Sequence, residues 1–235
     1  FIRSTSNKNE IVELLNDNEI ILICVPTPNR NGKQDLSIIS DVVTHLEECL
    51  RTINEFLVIQ SLFTILPTYT RTKLLPRIQE ASGRTLRKDF GLCVNPEFLR
   101  QASALKDFLN PWRIVIGEDD NRSGSTLEEM YEPFQTTIVR TTLETAELIK
   151  YVANAFLSTK ISFFNEMYLV ARKLGVDPDL VSSVAALDPR IGTYGIKGGR
   201  PFGGPCLSKD LEAFIGLCIS LGWNPNLAGA LVVSL

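Results

Sequence analysis

The chain has 235 residues, of which 44% are hydrophobic and 22% charged, as in an ordinary globular protein. The net charge of −3, without a basic cluster, argues against a nucleic-acid-binding protein. No apolar run reaches the roughly 18 residues that span a bilayer, so we expect no membrane segment, and we expect no signal peptide. Five scattered cysteines do not suggest a disulfide framework, which favours a reducing, cytoplasmic compartment. The single histidine, His45, has no ligand neighbours, so we expect a solvated side chain and no metal site.

Short apolar strands alternate with helical segments over the first part of the chain. Strands are predicted at residues 20–25, 56–59, 90–94, 113–117 and 137–139. Helices are predicted at residues 11–15, 37–51 (capped by Ser37), 70–81 (bent or begun at Pro76) and 125–131, with a polar turn at 29–34. Continuous apolar strands are typical of a parallel sheet covered on both faces. The pattern predicts an α/β fold with a partial doubly wound, Rossmann-like sheet.

The second part of the chain is predicted to be helical. Helical spacing persists without a break from Leu143 to Leu174, far beyond the mean helix length of about 11–12 residues. Further helices are predicted from Asp177 to about Leu187, after Cys206, and over 227–235. We therefore divide the chain into a Rossmann-like domain, residues 1–142, and an all-α domain, residues 143–235. The long helix would leave apolar faces wet in a monomer, so we expect a homodimer.

Ligands of doubly wound sheets bind beyond the carboxyl ends of the strands. Pro26, Thr27, Thr64 and Glu97 all follow predicted strands. We expect them to converge on one crevice.

Cys206 follows a segment rich in glycine and proline, at the point where the pattern becomes helical. A helix start favours a thiolate, but it contributes only about 0.3–1 kcal/mol, so a catalytic cysteine also needs a nearby cation. The alternative is a cysteine that serves as a small buried hydrophobic residue. The other cysteines lie in strand-like runs (Cys24, Cys93) or helical patterns (Cys49, Cys218), where we expect them to pack.

Lys150 and Asn154 lie four residues apart on the long helix and therefore share a face. Their neighbours are strongly apolar. Lys150 either extends its ammonium to solvent or serves as a cation in a site, and the spacing does not decide between these alternatives.

Four segments resemble the UDP-glucose/GDP-mannose dehydrogenase family in order and spacing. They are Ile-Cys-Val-Pro-Thr-Pro at 23–28, Asn-Pro-Glu-Phe-Leu at 95–99 with Asp-Phe-Leu-Asn-Pro at 107–111, Glu-Leu-Ile-Lys-Tyr-Val-Ala-Asn-Ala-Phe at 147–156, and Phe-Gly-Gly-Pro-Cys-Leu-Ser-Lys-Asp at 202–210. The resemblance implies a four-electron, NAD-dependent oxidation of the C6 alcohol of a nucleotide sugar, UDP-glucose to UDP-glucuronate, in two steps with two NAD⁺.

The resemblance also implies catalytic roles. Cys206 would capture the aldehyde as a thiohemiacetal, and a second hydride transfer would give a thioester that water hydrolyses. Lys150, with Asn154 as its companion, would stabilise negative charge on the C6 oxygen. Asp210 and Glu97 would handle water and protons, with Thr64 holding the water. We accordingly predict that Cys206 and Lys150 face a shared cavity.

Cofactor and substrate contacts follow from the same resemblance. The implied NAD contacts are Val25, Pro26, Thr27, Thr64, Gln101 and Lys209. The implied substrate contacts are Phe98, Leu99, Lys150, Asn154, Arg190, Lys197, Phe202 and Gly203, with Arg190 reaching the neighbouring subunit's site. The glycine-rich segment before Cys206 would let the backbone approach the sugar closely.

Several positions depart from the family's usual residues. Gln101 replaces a glutamate, Thr68 a glycine, Pro201 a glycine and Ser208 a proline, and Phe63-Thr64 stands where the family has Ser-Thr. No G-x-G-x-x-G follows a strand, and the family's C-terminal nucleotide-binding domain is not found, so the chain resembles the middle of such an enzyme.

Three alternatives stay open at this point. The substrate could be GDP-mannose or another UDP-sugar. The chain could belong to a two-electron hydroxyacid dehydrogenase, which would leave Cys206 without a role. Finally, it could be a catalytically inactive fragment that dimerises through its long helix.

Overall fold

The computed structural model describes residues 10–11, 18–30, 33–199 and 205–223. The predicted helices over 11–15 and 227–235 lie outside the described residues, apart from Ile11. The chain divides into two compact units. The first contains residues 1–28 and 34–150, and the second contains residues 29–33 and 151–235.

The first unit is built on a five-stranded sheet with the order β1-β4-β5-β6-β7. The strands of the chain are β1 (Ile20–Ile23), β2 (Asn29–Arg30), β3 (Lys33–Gln34), β4 (Leu57–Ser61), β5 (Phe90–Val94), β6 (Ile114–Glu118) and β7 (Ile138–Thr142). The five predicted strands therefore form, with shifts of one to three residues at most ends. The short strands β2 and β3 pair with each other in the region where a polar turn was predicted.

The sheet is parallel except at one pair of strands. β1, β4 and β5 are mutually parallel, whereas β6 runs antiparallel to β5, and β7 is parallel to β6. Two parallel neighbours need a crossover of a dozen or more residues, usually a helix, whereas antiparallel neighbours do not. The connection from β5 to β6 has no helix longer than the six residues at Ala104–Leu109, and at this pair the sheet departs from the parallel arrangement that the apolar strands indicated.

Three helical segments of the first unit lie close to their predicted positions, whereas the one at Ala104–Leu109 was not predicted. They are α1 (Ser37–Leu50), a π-helical turn (Thr70–Leu74) continuing into α2 (Leu75–Ser82), α3 (Ala104–Leu109) and α4 (Asn121–Tyr131). Ser37 does not cap α1 as predicted. Its own backbone N–H instead donates to Asp35 Oδ1 at 3.0 Å. Pro76 occupies the second position of α2, directly after the π-helical turn.

Successive residues of a strand point to opposite faces of the sheet, and both faces carry buried apolar side chains. One face, with Leu57 and Ile59 of β4, joins α1 and α2 in a single apolar core. The other face, with Val58 of β4 and Cys93 of β5, packs with Leu127 of α4 in a second core. This two-faced burial confirms the predicted α/β, Rossmann-like architecture.

The second unit is helical. Its helices are α5 (Leu143–Leu174), which begins in the first unit, α6 (Pro178–Ala185) and α7 (Pro205–Ser220). α5 has the predicted ends, and Asp177 caps α6 by accepting the N–H groups of Asp179 and Leu180. Leu211 is buried with Ala155, and the rings of Tyr151 and Phe214 stack 5.7 Å apart. Within the described ranges, no helix is both long enough and apolar enough to cross a bilayer.

The prediction that the cysteines other than Cys206 pack in the interior is wrong for Cys24. Cys49 and Cys93 are buried, but Cys24 is exposed. The sequence pattern extended the first strand to Val25, whereas β1 ends at Ile23, opposite the last residue of β4. Cys24 therefore lies just beyond the end of the strand, where the sheet no longer covers it.

Candidate active site

The carboxyl ends of β1, β4 and β5 lie at one edge of the sheet, since these three strands are parallel. Residues 25–27 follow β1, Thr64 follows β4, and Glu97 follows β5. Thr27 is buried, and the carbonyl of Thr64 accepts a hydrogen bond of 2.7 Å from Gln34 Nε2. The structure thus places the predicted strand-end residues at a common edge.

Lys150 buries its ammonium at this edge and does not extend it to solvent. The residue is 4% exposed, and its Nζ donates to the carbonyl of Glu97 and lies 3.1 Å from Glu97 Oε1. The other carboxylate oxygen of Glu97 accepts the N–H of Leu99 at 2.7 Å. Of the two interpretations of Lys150, the structure supports a fixed cation, here paired with the carboxylate that follows β5.

Two cations lie close to the ring of Phe98. Lys150 Nζ is 5.4 Å and the Arg113 guanidinium carbon is 4.1 Å from the centre of its ring. Arg100 forms a bidentate ion pair with Asp107, with Nη2–Oδ1 at 2.6 Å and Nε–Oδ2 at 2.8 Å. This pair lowers the pKa of the Asp107 carboxyl. Beside these residues runs a cleft lined by Glu97, Phe98, Leu99, Phe108, Trp112 and Phe134, among others.

In the second unit, Asn154 and Asp210 form a buried hydrogen-bonded pair. Asn154 Nδ2 donates to Asp210 Oδ2 at 2.6 Å, and Lys209 Nζ lies 2.8 Å from the other carboxylate oxygen. Asp210 is only 1% exposed. Its charge is therefore held in the interior by an amide and an ammonium, as buried carboxylates require. Asn154 lies one turn after Lys150 on α5, as the spacing predicted.

Cys206 is the second residue of α7 and is exposed. It follows Pro205, a residue suited to the first position of a helix. This confirms the predicted position at a helix start and removes the alternative of a buried packing residue. Cys206 lies one turn before Asp210 on the same helix. Lys150 belongs to the first unit and Cys206 to the second, and their meeting in a shared cavity stays a prediction.

The remaining predicted residues are less enclosed. Arg190 is exposed and donates to both oxygens of Asp188, which lowers the pKa of that carboxyl. Lys197 and Gln101 are exposed, Val25 is half-buried and Pro26 is exposed. Phe202, Gly203 and Pro201 lie outside the described residues.

The glycine-rich segment has a structural role that the sequence did not reveal. A Cβ at Gly198 would come within 2.4 Å of Tyr168 Cβ and 2.6 Å of the Phe164 carbonyl oxygen, both on α5. Close approach of the backbone to a helix thus explains this glycine. The predicted close approach to a sugar is not needed for it.

Glu147, a carboxylate three residues before Lys150 on α5, has a role in the site that was not predicted from the sequence. Its two oxygens accept the backbone N–H groups of Thr68 (2.6 Å) and Thr70 (3.1 Å). An acidic residue inside an apolar stretch of helix was the available signal.

Within the described residues, no group of three or more histidine, cysteine and acidic side chains could hold a metal ion.

Comparison with known proteins gives matches along nearly the whole chain. A family model for the NAD binding domain of the UDP-glucose/GDP-mannose dehydrogenase family matches residues 3–135, and one for the central domain of that family matches residues 144–233. GDP-mannose 6-dehydrogenase of Pseudomonas putida is 36% identical over 230 residues, which are 96% of this chain and 52% of the relative. UDP-glucose 6-dehydrogenase TuaD of Bacillus subtilis is 36% identical over 225 residues, 95% of this chain and 48% of the relative.

A solved UDP-glucose dehydrogenase from Pyrobaculum islandicum superposes with a TM-score of 0.88 at 34% identity, covering 97% of this chain and 51% of that one. The chain therefore spans about half the length of the relatives it matches. Two family domains in sequence order, with relatives 36% identical along nearly all of the chain, make it a member of the UDP-glucose/GDP-mannose dehydrogenase family.

Proposed function

We propose that the chain carries the NAD-binding and central domains of a nucleotide-sugar 6-dehydrogenase that oxidises the C6 alcohol of UDP-glucose to a carboxylate. The observation that carries the proposal is the buried Lys150 ammonium at the carboxyl end of β5. A buried cation is costly unless it is paired, and it acts strongly on a nearby developing oxyanion. The family membership supports the same reaction.

The strand-end edge fits NAD in the chemistry of its groups. Thr27 and Thr64 bring hydroxyl groups and Gln101 an amide, while the carboxylate of Glu97 is paired with Lys150. Hydroxyl and amide groups can hydrogen-bond the phosphate, ribose and carboxamide groups of NAD, and they add no negative charge beside its diphosphate. In this proposal Val25, Pro26, Thr27, Thr64, Gln101 and Lys209 would hold NAD, which accepts hydride from C6 when bound.

Lys150 stabilises the negative charge that develops on the C6 oxygen as the alcohol loses its proton. A fixed ammonium needs little reorganisation during the reaction, which is the advantage of a preorganised site. Its partner Glu97 balances the charge before substrate arrives and accepts or returns a proton.

The sulfur of Cys206 adds to C6 of the aldehyde as the carbon–oxygen π bond opens, and the thiol proton passes to that oxygen to give a thiohemiacetal. Loss of a hydride from C6, for which a second NAD⁺ would be the acceptor, and of the proton from the oxygen then gives the thioester. Water then attacks the thioester carbon, and the sulfur leaves as thiolate. Asp210, with Asn154 and Lys209 as its partners, takes the proton of that water, and Thr64 helps to hold the water. The exposed thiol of Cys206 at a helix start supports this role, since it is open to attack an aldehyde.

The substrate contacts stay proposals. Phe98 and Leu99 line the sugar and phosphate site through their backbone, and Arg190 and Lys197 bind charged groups of the nucleotide sugar. The exposure of the Arg190 side chain supports an action on a neighbouring subunit's site. Phe202 and Gly203 would also contact the substrate in this proposal.

We also propose that the protein forms a homodimer through α5. The division into a Rossmann-like domain, residues 1–142, and an all-α domain, residues 143–235, remains a proposal. Apolar side chains stand exposed along α5, including Phe156 and Phe163, and this supports the dimer. A cytoplasmic location stays a prediction from the cysteine content.

The test measures NADH produced per nucleotide sugar by the protein at its full natural length, with UDP-glucose and with GDP-mannose. We expect two NADH per UDP-glucose. The Cys206→Ala variant should lose the complete oxidation, whereas Cys218→Ala, on the same helix, should keep it. One NADH per substrate would favour a two-electron dehydrogenase, and complete oxidation by Cys206→Ala would refute the covalent mechanism.

A further inference from the structure

Glu147 is a buried carboxylate whose hydrogen bonds go to the backbone of a loop. It is 2% exposed, and its two oxygens accept N–H groups from Thr68 and Thr70. Burial raises the pKa of this carboxyl, and the hydrogen bonds from Thr70 and Thr68 oppose that rise. A group buried at this cost must be matched by good hydrogen bonds, and both of its acceptor atoms have them.

The loop in question leads from the end of β4 to the π-helical turn, over residues 62–69, and it contains Thr64. Its start is joined to β1 by the bond from the Leu62 N–H to the Ile23 carbonyl at 3.0 Å. Its end is a tight turn in which the Tyr69 N–H donates to the Leu66 carbonyl at 3.1 Å. Glu147 binds Thr68 inside that turn and Thr70 directly after it, four and six residues beyond Thr64.

The backbone at this point is strained. Thr68 has a φ of 75°, a left-handed conformation that a β-branched residue rarely adopts. Strained residues persist only where their surroundings hold them in place. The charge-assisted bond from the Thr68 N–H to Glu147 is such a constraint.

The next turn of α5 also binds the backbone of a loop, the one that follows β5. Lys150 lies three residues after Glu147 and donates to the backbone carbonyl of Glu97, in the loop that follows β5. One face of α5 therefore fixes two adjacent strand-end loops. Glu147 holds the loop with Thr64 through its N–H groups, and Lys150 holds the loop with Glu97 through a carbonyl.

We propose that Glu147 is a positioning residue for the dehydrogenase reaction, which holds the Thr64 loop in the conformation needed to bind the hydrolytic water. The inference rests on the proposed function, in which Thr64 takes part in hydrolysis of the thioester. Glu147 does not contact substrate and acts through the loop.

Glu147→Gln tests this inference with little change in shape. A glutamine has one acceptor oxygen and an NH₂ group. It can accept a hydrogen bond from one of the two N–H groups, and its NH₂ group then faces the other, so that two donors meet without an acceptor. Glu144→Gln is the matched control. Glu144 lies one turn earlier on α5 and bonds to the side chain of Arg71, in the same π-helical turn, not to the loop backbone.

We measure kcat and KM for UDP-glucose and NAD, and the amide hydrogen exchange of residues 62–70, on the protein at its full natural length. Glu147→Gln should lower kcat by roughly 10-fold to 100-fold, as expected for a misplaced reacting group, and change each KM by less than about twofold. The loop amides should exchange faster in Glu147→Gln. Glu144→Gln should keep kcat within about twofold and leave loop exchange unchanged.

A double-mutant cycle with Thr64→Ala separates positioning from general destabilisation. If Glu147 acts through Thr64, adding Glu147→Gln to Thr64→Ala should lower kcat by less than about twofold more. If the two losses multiply, Glu147 is a structural residue only and the inference fails. Normal kcat in Glu147→Gln or in Thr64→Ala would also overturn it.

Failure to fold does not end the test. If Glu147→Gln does not fold, Glu147→Asp takes its place in the same cycle, since it keeps the charge and withdraws the carboxylate by one methylene. A wild-type protein without dehydrogenase activity would refute the proposed function, while the exchange of residues 62–70 would still show whether Glu147 orders the loop. Unchanged exchange in an active protein would refute only the positioning role.

Discussion

Thr68 combines a β-branched side chain with a left-handed backbone at φ 75°. Such a conformation costs a residue other than glycine roughly 1–2 kcal/mol, whereas glycine adopts it freely. Glycine in turn costs about 0.4–1 kcal/mol through the larger entropy of the unfolded chain. We therefore expect Thr68→Gly to stabilise the protein by about 0.5–1 kcal/mol, seen as a rise of about 2 °C in melting temperature.

Thr68→Ala is the control for the strain at this position. Alanine keeps the Cβ that causes the strain, and the exposed threonine side chain has little packing to lose. Its melting temperature should stay near that of the wild type. A lower melting temperature for Thr68→Gly than for Thr68→Ala would show that the backbone at residue 68 is not strained.

Single residues were predictable from the sequence where their role depends on local pattern. The segment rich in glycine and proline, followed by helical spacing, predicted Cys206 at a helix start. The apolar surroundings of Lys150 left open whether its ammonium is buried or extends to solvent. The partner of Lys150 was not predictable from spacing, because Glu97 lies 53 positions away and only the sheet order brings it near. Phe63, at a position where the family has serine, is buried in the core, which explains why an apolar residue is accepted there.

At the scale of secondary-structure elements, Arg84 joins the end of α1 to the starts of two strands. Its buried guanidinium donates to the carbonyls of Ile53 (2.6 Å), Glu55 and Asp89, and it is 3.4 Å from that of Leu50. Arg84→Met would fill similar volume and leave these carbonyls without their donor. A buried acceptor without a partner costs about 1–3 kcal/mol, so we expect a loss of about 3 kcal/mol in the free energy of unfolding.

Urea unfolding measures this loss, with Arg51→Met as the comparison. Arg51 is exposed and donates to one carbonyl, that of Ala81, so its replacement should cost less than about 1 kcal/mol. Equal losses for the two variants would show that Arg84 does not hold these elements together.

Elements themselves followed from periodicity. α5 was predicted with its observed ends because nothing in 32 residues interrupts its pattern. The direction of β6 was not predictable in this way, since an apolar strand has the same composition whether it runs parallel or antiparallel to its neighbour. Direction depends on the connection before it, and the available signal was that no helix was predicted between the strands at 90–94 and 113–117.

On the scale of the whole molecule, family resemblance and physical pattern contribute different information. The pattern predicts a covered sheet followed by one long helix and further shorter helices, and the structure confirms it. The pairing of Lys150 with Glu97 and of Asn154 with Asp210 then gives physical content to residues that the resemblance had only named.

The proposed homodimer can be tested along one stripe of α5. Val152, Phe156, Phe163, Val170 and Leu174 are all exposed, and at 3.6 residues per turn they fall within an arc of about 40°. An apolar stripe of this kind is typical of a helix that packs against a partner. We expect the double variant Phe156→Glu/Phe163→Glu to be monomeric in light scattering, while the wild type is a dimer over a wide range of concentrations.

Leu169→Glu is the matched control, because Leu169 is equally exposed, at 59% against 53% for Phe163, but lies about 120° from the stripe. A monomeric wild type, or a double variant that stays dimeric while Leu169→Glu dissociates, would show that the stripe does not form the interface.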